Sequence, residues 1–282
     1  MKTKEIPVCG LAAVRALFEK DPDSIKRLFF DYETSRNVPA LTRHMAKTKR
    51  VYRVLTAEEL AKVGATVHHG GIVAVIEAKP LGVVTDAQLQ AWSRARTPLL
   101  LLDRIGNAHN LGAIARTAAF FGIEHLVLPE HPQQALPSES AYRTAEGGLA
   151  HLTLWSVQDL AGLCRALAEA YEVVGTAVEP GTRSLSNWRV RSPEPRAART
   201  GLRPTSEEKP VALVLGNEER GLSEEVRLAC TTLVRIPGHG ERVESLNVSA
   251  AAAVLLWEVL GRTRDKTRTP PPAPPPVRPP GR

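Results

Sequence analysis

The apolar positions change period along the chain. From Leu11 to Phe18 they recur at helical spacing, whereas Ile25–Phe30 and Val51–Leu55 read as strands. Thr56, with Glu59 three residues on, has the form of a capping box, and the helix it opens is expected to stop near Gly64. Gly71–Ile76, GIVAVI, reads as a buried strand. A second box, Thr85 with Gln88, opens a short helix that ends at the basic pair Arg94 and Arg96. The pattern therefore predicts a small α/β module over 1–80 and a linker over 81–97.

From Pro98 onward short apolar runs alternate with helical segments. Strands are expected at Leu99–Leu102, Glu124–Leu128, His151–Trp155, Glu172–Ala177, Val211–Leu215 and Leu233–Ile236. Helices are expected at Leu111–Phe121, from a cap at Ser156 to about Ala170, at Ser223–Cys230 and at Leu246–Leu260. Continuous apolar strands alternating with helices imply an α/β domain over 98–261, a parallel sheet covered on both faces. Such sheets bind ligands at the carboxyl ends of their strands. That rule points to Asp103–Asn110, Thr176–Arg183, Gly216–Gly221 and Pro237–Asn247. Between Thr182 and Lys209 a polar stretch with seven Lys/Arg against three Glu lacks periodicity. It reads as a surface insertion or an RNA-contacting lid. Residues 262–282 hold eight prolines and no apolar pattern, and are expected to form a disordered basic tail.

Composition narrows the class. With 282 residues, 43% apolar and 24% charged, the chain is neither wholly disordered, nor collagen, nor a pure coiled coil. No apolar run approaches the ~18 residues of a membrane span, and Arg15 breaks the only early apolar stretch, so neither a span nor a signal peptide is expected. Cys9, Cys164 and Cys230 are odd in number and far apart, and read as reduced thiols in a cytoplasmic protein. The net charge of +7 is uneven: +6 over 1–98, −4 over 99–261 and +5 over 262–282. A polyanion such as RNA would meet the N-terminal part and the tail first.

Three polar clusters sit at strand ends. Asn107–Arg116 opens a helix: Asn110 is a candidate cap, Gly112 permits close packing against the sheet, and Arg116 in an apolar helix is expected to be partly buried and to need an anionic partner. LGNEERGL at 215–222 is either a strained strand-to-helix turn or a ligand cradle with Glu218 beside it. Ile236–Ser249 contains Gly238-His239-Gly240, but Val243 stands where a dinucleotide fingerprint needs its third glycine. Ser245 and Asn247 are candidate caps for the last helix. His68-His69 before Gly70-Gly71 reads as a turn or an RNA-facing loop ahead of a metal pair, and no metal site is expected.

Taken in order, these clusters resemble the SpoU/TrmH family of S-adenosylmethionine-dependent RNA 2'-O-ribose methyltransferases. Asn110, Gly112 and Arg116 are similar to its first motif, LGNEERGL to its second, and Ile236–Glu258 to its third. Gly10–Val14 and His68–Ala74 are weaker matches to its substrate-binding domain. The resemblance implies a deep trefoil knot between about Leu215 and Asn247, and a homodimer. It implies S-adenosylmethionine against Thr176, Gly216, Ile236 and Leu246, and an active site at Asn110, Arg116, Glu218, Ser245 and Asn247. Two departures stand out: Gly238 where the family often has Met, and Thr144–Gly148 in place of a Ser-Ala-Gly-Ala-like segment.

The chemistry implied is in-line attack of a ribose hydroxyl on a sulfonium methyl, which needs positioning and stabilisation of the forming alkoxide. Arginine is effectively always protonated, which favours Arg116 as a clamp over a transient base. Asn110 and Asn247 would then orient the ribose or Arg116, and Glu218 would balance charge. The reading is an RNA methyltransferase, on rRNA ahead of tRNA. Its alternatives are a non-catalytic RNA-binding paralogue and a small-molecule α/β reductase.

Overall fold

A computed structural model describes residues 4–177, 182–188, 209–239, 243 and 245–261. The N-terminal module runs β1 (Glu5–Cys9), α1 (Leu11–Lys20), β2 (Ile25–Phe30), α2 (Tyr32–Ser35), α3 (Pro39–Lys47), β3 (Val51–Val54), α4 (Ala57–Gly64) and β4 (Ile72–Glu77). Its sheet has the order β1-β4-β2-β3. β4 pairs antiparallel with β1 and β2, and apolar clusters pack on both of its faces, Ile72, Ala74 and Ile76 in one and Val73 and Val75 in the other, so IVAVI is wholly buried. The Thr56 box forms in both halves, and Ala65 ends that helix in a left-handed conformation at φ 53°. Thr85 accepts from the Gln88 N–H.

The second layer system follows as β5 (Gly82–Val83), α5 (Asp86–Ala95), β6 (Leu99–Asp103), α6 (Ala108–Phe121), β7 (His125–Pro129), α7 (Glu139–Ala145), β8 (Thr153–Val157), α8 (Leu160–Leu167), β9 (Glu172–Thr176), β10 (Arg183–Ser184), α9 (Leu185–Trp188), β11 (Val211–Gly216), α10 (Glu224–Ala229), β12 (Thr232–Arg235) and α11 (Val248–Leu256). The eight strands take the order β10-β12-β9-β11-β6-β7-β8-β5. Every pairing in this sheet is parallel. Leu100 and Leu102 face a cluster with α6, α7 and α11; Leu99 and Leu101 face one with α5, α8 and α10. Burial on both faces explains why these strands are apolar without alternation.

Several expectations change. Residues 81–97 are more than a linker: β5 joins the sheet edge beside β8, and Trp92 of α5 is 2% exposed. Ser156 lies within β8, and the following helix is capped by Asp159, whose Oδ1 accepts from the Gly162 N–H at 2.7 Å. The polar stretch from Thr182 begins as structure, with Leu185 and Trp188 buried and the Trp188 indole donating to Glu172 at 2.7 Å. Residues 189–208 and the tail at 262–282 lie outside the described residues. The last helix starts at Val248 and ends in a π turn, Trp257–Gly261.

Glycines set the close approaches. A Cβ at Gly112 would sit 2.4 Å from the Ala141 carbonyl oxygen, so this glycine lets α6 pack on α7 and not on the sheet. A Cβ at Gly148 would meet the Arg116 Cα at 2.6 Å, and one at Gly147 the Ala16 Cβ at 2.8 Å. The Gly147-Gly148 pair is thus the point where α6 and the N-terminal α1 close on the same turn. The cysteines are unpaired. Burial foremost raises Cys9 to about 11 and Cys164 and Cys230 to about 12, so all three stay protonated at neutral pH. Among the described residues no helix is long and apolar enough to cross a membrane.

Gly112→Ala is expected to destabilise the chain by about 1–3 kcal/mol, because backbone on α7 has to move. Urea unfolding would show it as a lower midpoint; an unchanged midpoint would mean α6 and α7 have room to part.

Candidate active site

The loop after β6 and the turn after β11 meet because their strands are neighbours in register, with Gly216 opposite Asp103. Asp103 ends the LLLLD strand and is 3% exposed. Its carboxylate accepts from the Ser223 N–H at 2.5 Å, the Ser223 hydroxyl at 2.8 Å and the Arg104 Nε at 3.0 Å. Arg104 takes a left-handed conformation, φ 58°, which turns the chain sharply off the strand. Asn217 shapes the other side. Its Oδ1 accepts from the N–H groups of Glu219 and Arg220, and its Nδ2 donates to the Arg104 carbonyl at 2.7 Å. Asn217 and Gly221 exchange two backbone bonds of 2.9 Å, closing the turn, and Gly221 supplies φ 67°. A Cβ on Gly216 would lie 2.4 Å from that turn's backbone, so only glycine fits there.

This scaffold presents Glu218. Its Oε1 accepts from the Asn110 Nδ2 at 2.7 Å, and the N–H groups of Gly106 and Asn107 approach the carboxylate at 3.4 Å. Asn110 is free for this because Asn107 is the cap of α6, accepting from the His109 N–H at 2.8 Å. Asn110 Oδ1 in turn accepts from the Asn247 Nδ2 at 3.2 Å. Asn247 caps α11 with its own Oδ1, which accepts from the Ser249 N–H at 2.8 Å and its hydroxyl at 2.6 Å. Glu218, Asn110 and Asn247 therefore form one hydrogen-bonded chain drawn from three distant clusters, and each amide is oriented at both ends.

The remaining expected residues divide into two groups. Thr176, Gly216 and Ile236 stand at the carboxyl ends of β9, β11 and β12, three adjacent strands. Leu246 is 52% exposed and Ser245 exposed, in the stretch leading to α11. Arg116 is not gathered into the hydrogen-bonded chain. Its side chain is 57% exposed, more open than its apolar helix suggested, and its anionic partner is Glu146 at 2.9 Å. Glu146 ends α7 in a left-handed conformation at φ 44°. Asp103 and Asn217 fall inside the strand-end segments that the sequence points to but are not singled out there, and Ser223 is read only as the start of a helix; the single charge closing an otherwise apolar LLLLD run is the available signal for the first. His69 is buried, and its Nδ1 accepts from the Gly71 N–H at 3.2 Å. Among the described residues no group of three metal-ligating side chains forms.

Comparison with known proteins bears on this arrangement. Residues 98–257, over half of the chain, match the SpoU rRNA Methylase family. The chain belongs to the SpoU methylase family. It is an RNA methyltransferase, and residues 7–81 match the RNA 2'-O ribose methyltransferase substrate binding domain. The SpoU region spans β6 through α11, so it contains every residue of the hydrogen-bonded chain. An uncharacterised tRNA/rRNA methyltransferase, YfiF, from Escherichia coli O157:H7 is 32% identical over 258 residues, 91% of this chain and 68% of that protein. The 23S rRNA (guanosine-2'-O-)-methyltransferase RlmB of Bordetella pertussis is 31% identical over 255 residues, covering 89% of this chain and 95% of that one. Among solved structures, the SpoU methyltransferase AviRb from Streptomyces viridochromogenes, in complex with AdoMet, superposes with a TM-score of 0.65. It is 23% identical, with 94% of this chain and 92% of that chain covered, a likeness of fold.

Glu218→Ala is expected to cost about 1–3 kcal/mol by stranding its donors, and to speed hydrogen exchange at the Gly106 and Asn107 amides. Unchanged exchange at both would show that the carboxylate does not hold that loop.

Proposed function

We propose that this chain methylates a ribose 2'-oxygen of RNA, rRNA in preference to tRNA, with S-adenosylmethionine as donor. The observation that carries the reading is the Glu218–Asn110–Asn247 chain, which joins three family motifs at the carboxyl edge of a parallel sheet. The rRNA preference rests on relatives named as 23S rRNA methyltransferases and on the match to the SpoU rRNA Methylase family. Such a substrate places the enzyme in the cytoplasm.

The residues present fit the cofactor. The ends of β9, β11 and β12 offer main-chain polar groups beside half-buried Thr176 and Ile236, and Leu246 adds an apolar side chain. Gly216 lets the 217–222 turn fold back tightly at the same edge. When bound, S-adenosylmethionine supplies an electrophilic sulfonium methyl. Asn110, Asn247 and Ser245 orient the ribose, and Glu218 fixes Asn110 so that little reorganisation is needed at attack. Arg116, permanently protonated, clamps the neighbouring phosphate and the developing oxyanion. Its pairing with Glu146 is exposed and therefore weak, so a phosphate can take the carboxylate's place.

The same reading carries the family's knot between about 215 and 247 and a homodimer. β11 and β12 flank β9, and the turn after β11 is bound back to the end of β6, a path compatible with the knot. The dimer is supported by apolar side chains left open on α6 and the end of α11: Phe120 is 80% exposed, Trp257 50% and Val254 39%, with the Phe121 and Trp257 rings 6.4 Å apart.

Tritiated methyl transfer to total rRNA and to tRNA, from cells lacking this gene, tests the reaction. Label is expected in rRNA at a 2'-O-methylated nucleotide, and Arg116→Ala should reduce it by about 100- to 1,000-fold with the fold intact. Near-normal turnover by that variant would remove Arg116 from the mechanism. Failure to bind cofactor at all would favour the non-catalytic paralogue. In sedimentation, the wild-type chain is expected at twice its chain mass and Phe120→Asp at one; a variant that remains dimeric would place the interface elsewhere.

A further inference from the structure

Between Tyr32 and Val54 the chain carries six basic residues, Arg36, Arg43, Lys47, Lys49, Arg50 and Arg53, against one acid, Glu33. The fold brings them to one edge of the N-terminal module. β3 is the outer strand of its sheet, and all four of its residues are exposed. Its register sets Tyr52 opposite Leu28 and Val54 opposite Phe30. Alternation therefore puts Tyr52 and Val54 on the sheet face covered by Leu41 and Met45 of α3 and by Val38 just before it. Tyr52 is 41% exposed and Val54 55%. Tyr32, two residues beyond β2, is 69% exposed, and the Arg36 guanidinium lies 5.5 Å from its ring centroid.

Most of this charge is uncommitted. Arg50 is tied to Asp23 at 3.0 Å. Arg43, Lys47, Lys49 and Arg53 are exposed and make no ion pair among the described residues. Basic side chains on an outer strand also serve to discourage edge-to-edge pairing. That role accounts for the cations but not for two open tyrosine rings beside them. Aromatic faces interleaved with unpaired cations match what a single-stranded nucleic acid presents: bases free to stack, and a phosphate at every step.

We propose that this α2–α3–β3 face binds single-stranded RNA. Tyr32 and Tyr52 stack unpaired bases, and Arg43, Lys47 and Lys49 neutralise phosphates; Arg53, opposite Phe29, lies on the other face of β3. The proposal rests on the RNA-methyltransferase reading and adds the surface that holds the strand flanking the target.

Fluorescence anisotropy of the full chain with a fluorescein-labelled 20-nucleotide oligouridylate, over a range of salt, tests it without reading methyl transfer. Tyr32→Ala with Tyr52→Ala is expected to weaken binding by about 5- to 100-fold, while the corresponding Phe pair, which keeps the rings, stays near wild type. Lys47→Glu with Lys49→Glu should flatten the slope of log affinity against log salt by about 0.7 for each phosphate that is no longer neutralised. These side chains are exposed, so unchanged thermal melts are expected and would confirm intact folding. The proposal is overturned if the wild-type chain does not bind the strand, as it would not if this face served a protein partner. It is also overturned if the Ala pair binds as wild type, or if a duplex of equal length binds as tightly as the single strand. RNA binding retained without methyl transfer would fail the reaction and leave this face standing.

Discussion

The geometry of the site depends on one buried carboxylate. Asp103 sits at the carboxyl end of a strand sealed on both faces, where an unsatisfied charge would cost several kcal/mol, of the order expected for breaking a buried pair. It is satisfied by donors from two places: Arg104 next to it and Ser223 at 120 positions' remove. Meeting that demand fixes the start of α10 against the end of β6. The turn between Gly216 and Ser223 is then held at both ends, by the sheet and by Asp103. Glu218 is at the crest of that turn, so its reach to Asn110 follows from a need that is electrostatic and lies beneath it.

A second constraint is steric and acts where the two modules meet. Gly147 and Gly148 leave no room for side chains between α1 and α6, and Arg116 emerges from α6 at that contact. The arginine of the first motif thus stands at the junction with the substrate-binding module, while the asparagine six residues earlier faces the carboxyl edge of the sheet. One helix carries both: its first turn belongs to the hydrogen-bonded chain and its third to the boundary between modules.

Much of this was legible in the sequence, for identifiable reasons. Apolar runs such as LLLLD and VALVLG are what doubly covered parallel strands require, and their ends located all three polar clusters. The Thr56 box is local chemistry and formed as read. What escaped depended on tertiary context. β5 and β10 are two residues long and exist only because a longer strand lies beside them. Asn107 and Asn110 have the same local claim to the helix cap, and only the position of Glu218, more than a hundred residues away, decides between them. Arg116 was expected to seek an anion, and did, but its exposure and the identity of Glu146 follow from how α7 ends. The pairing of Asp103 with Ser223 has no periodic signature at all.

The Arg116–Glu146 pair also bears on selectivity. On the proposed reading Arg116 meets an RNA phosphate by giving up Glu146, and because that pair is exposed it costs an incoming anion little. A polymer held at other points meets Arg116 as a tethered group, at an effective concentration that a dilute small anion does not reach. That advantage lies in the polymer's other contacts and not in the pair itself, which is exposed at both partners. On the proposed reading, preference for an RNA over soluble phosphates would thus arise from multivalency at the junction of the two modules, before any base is read.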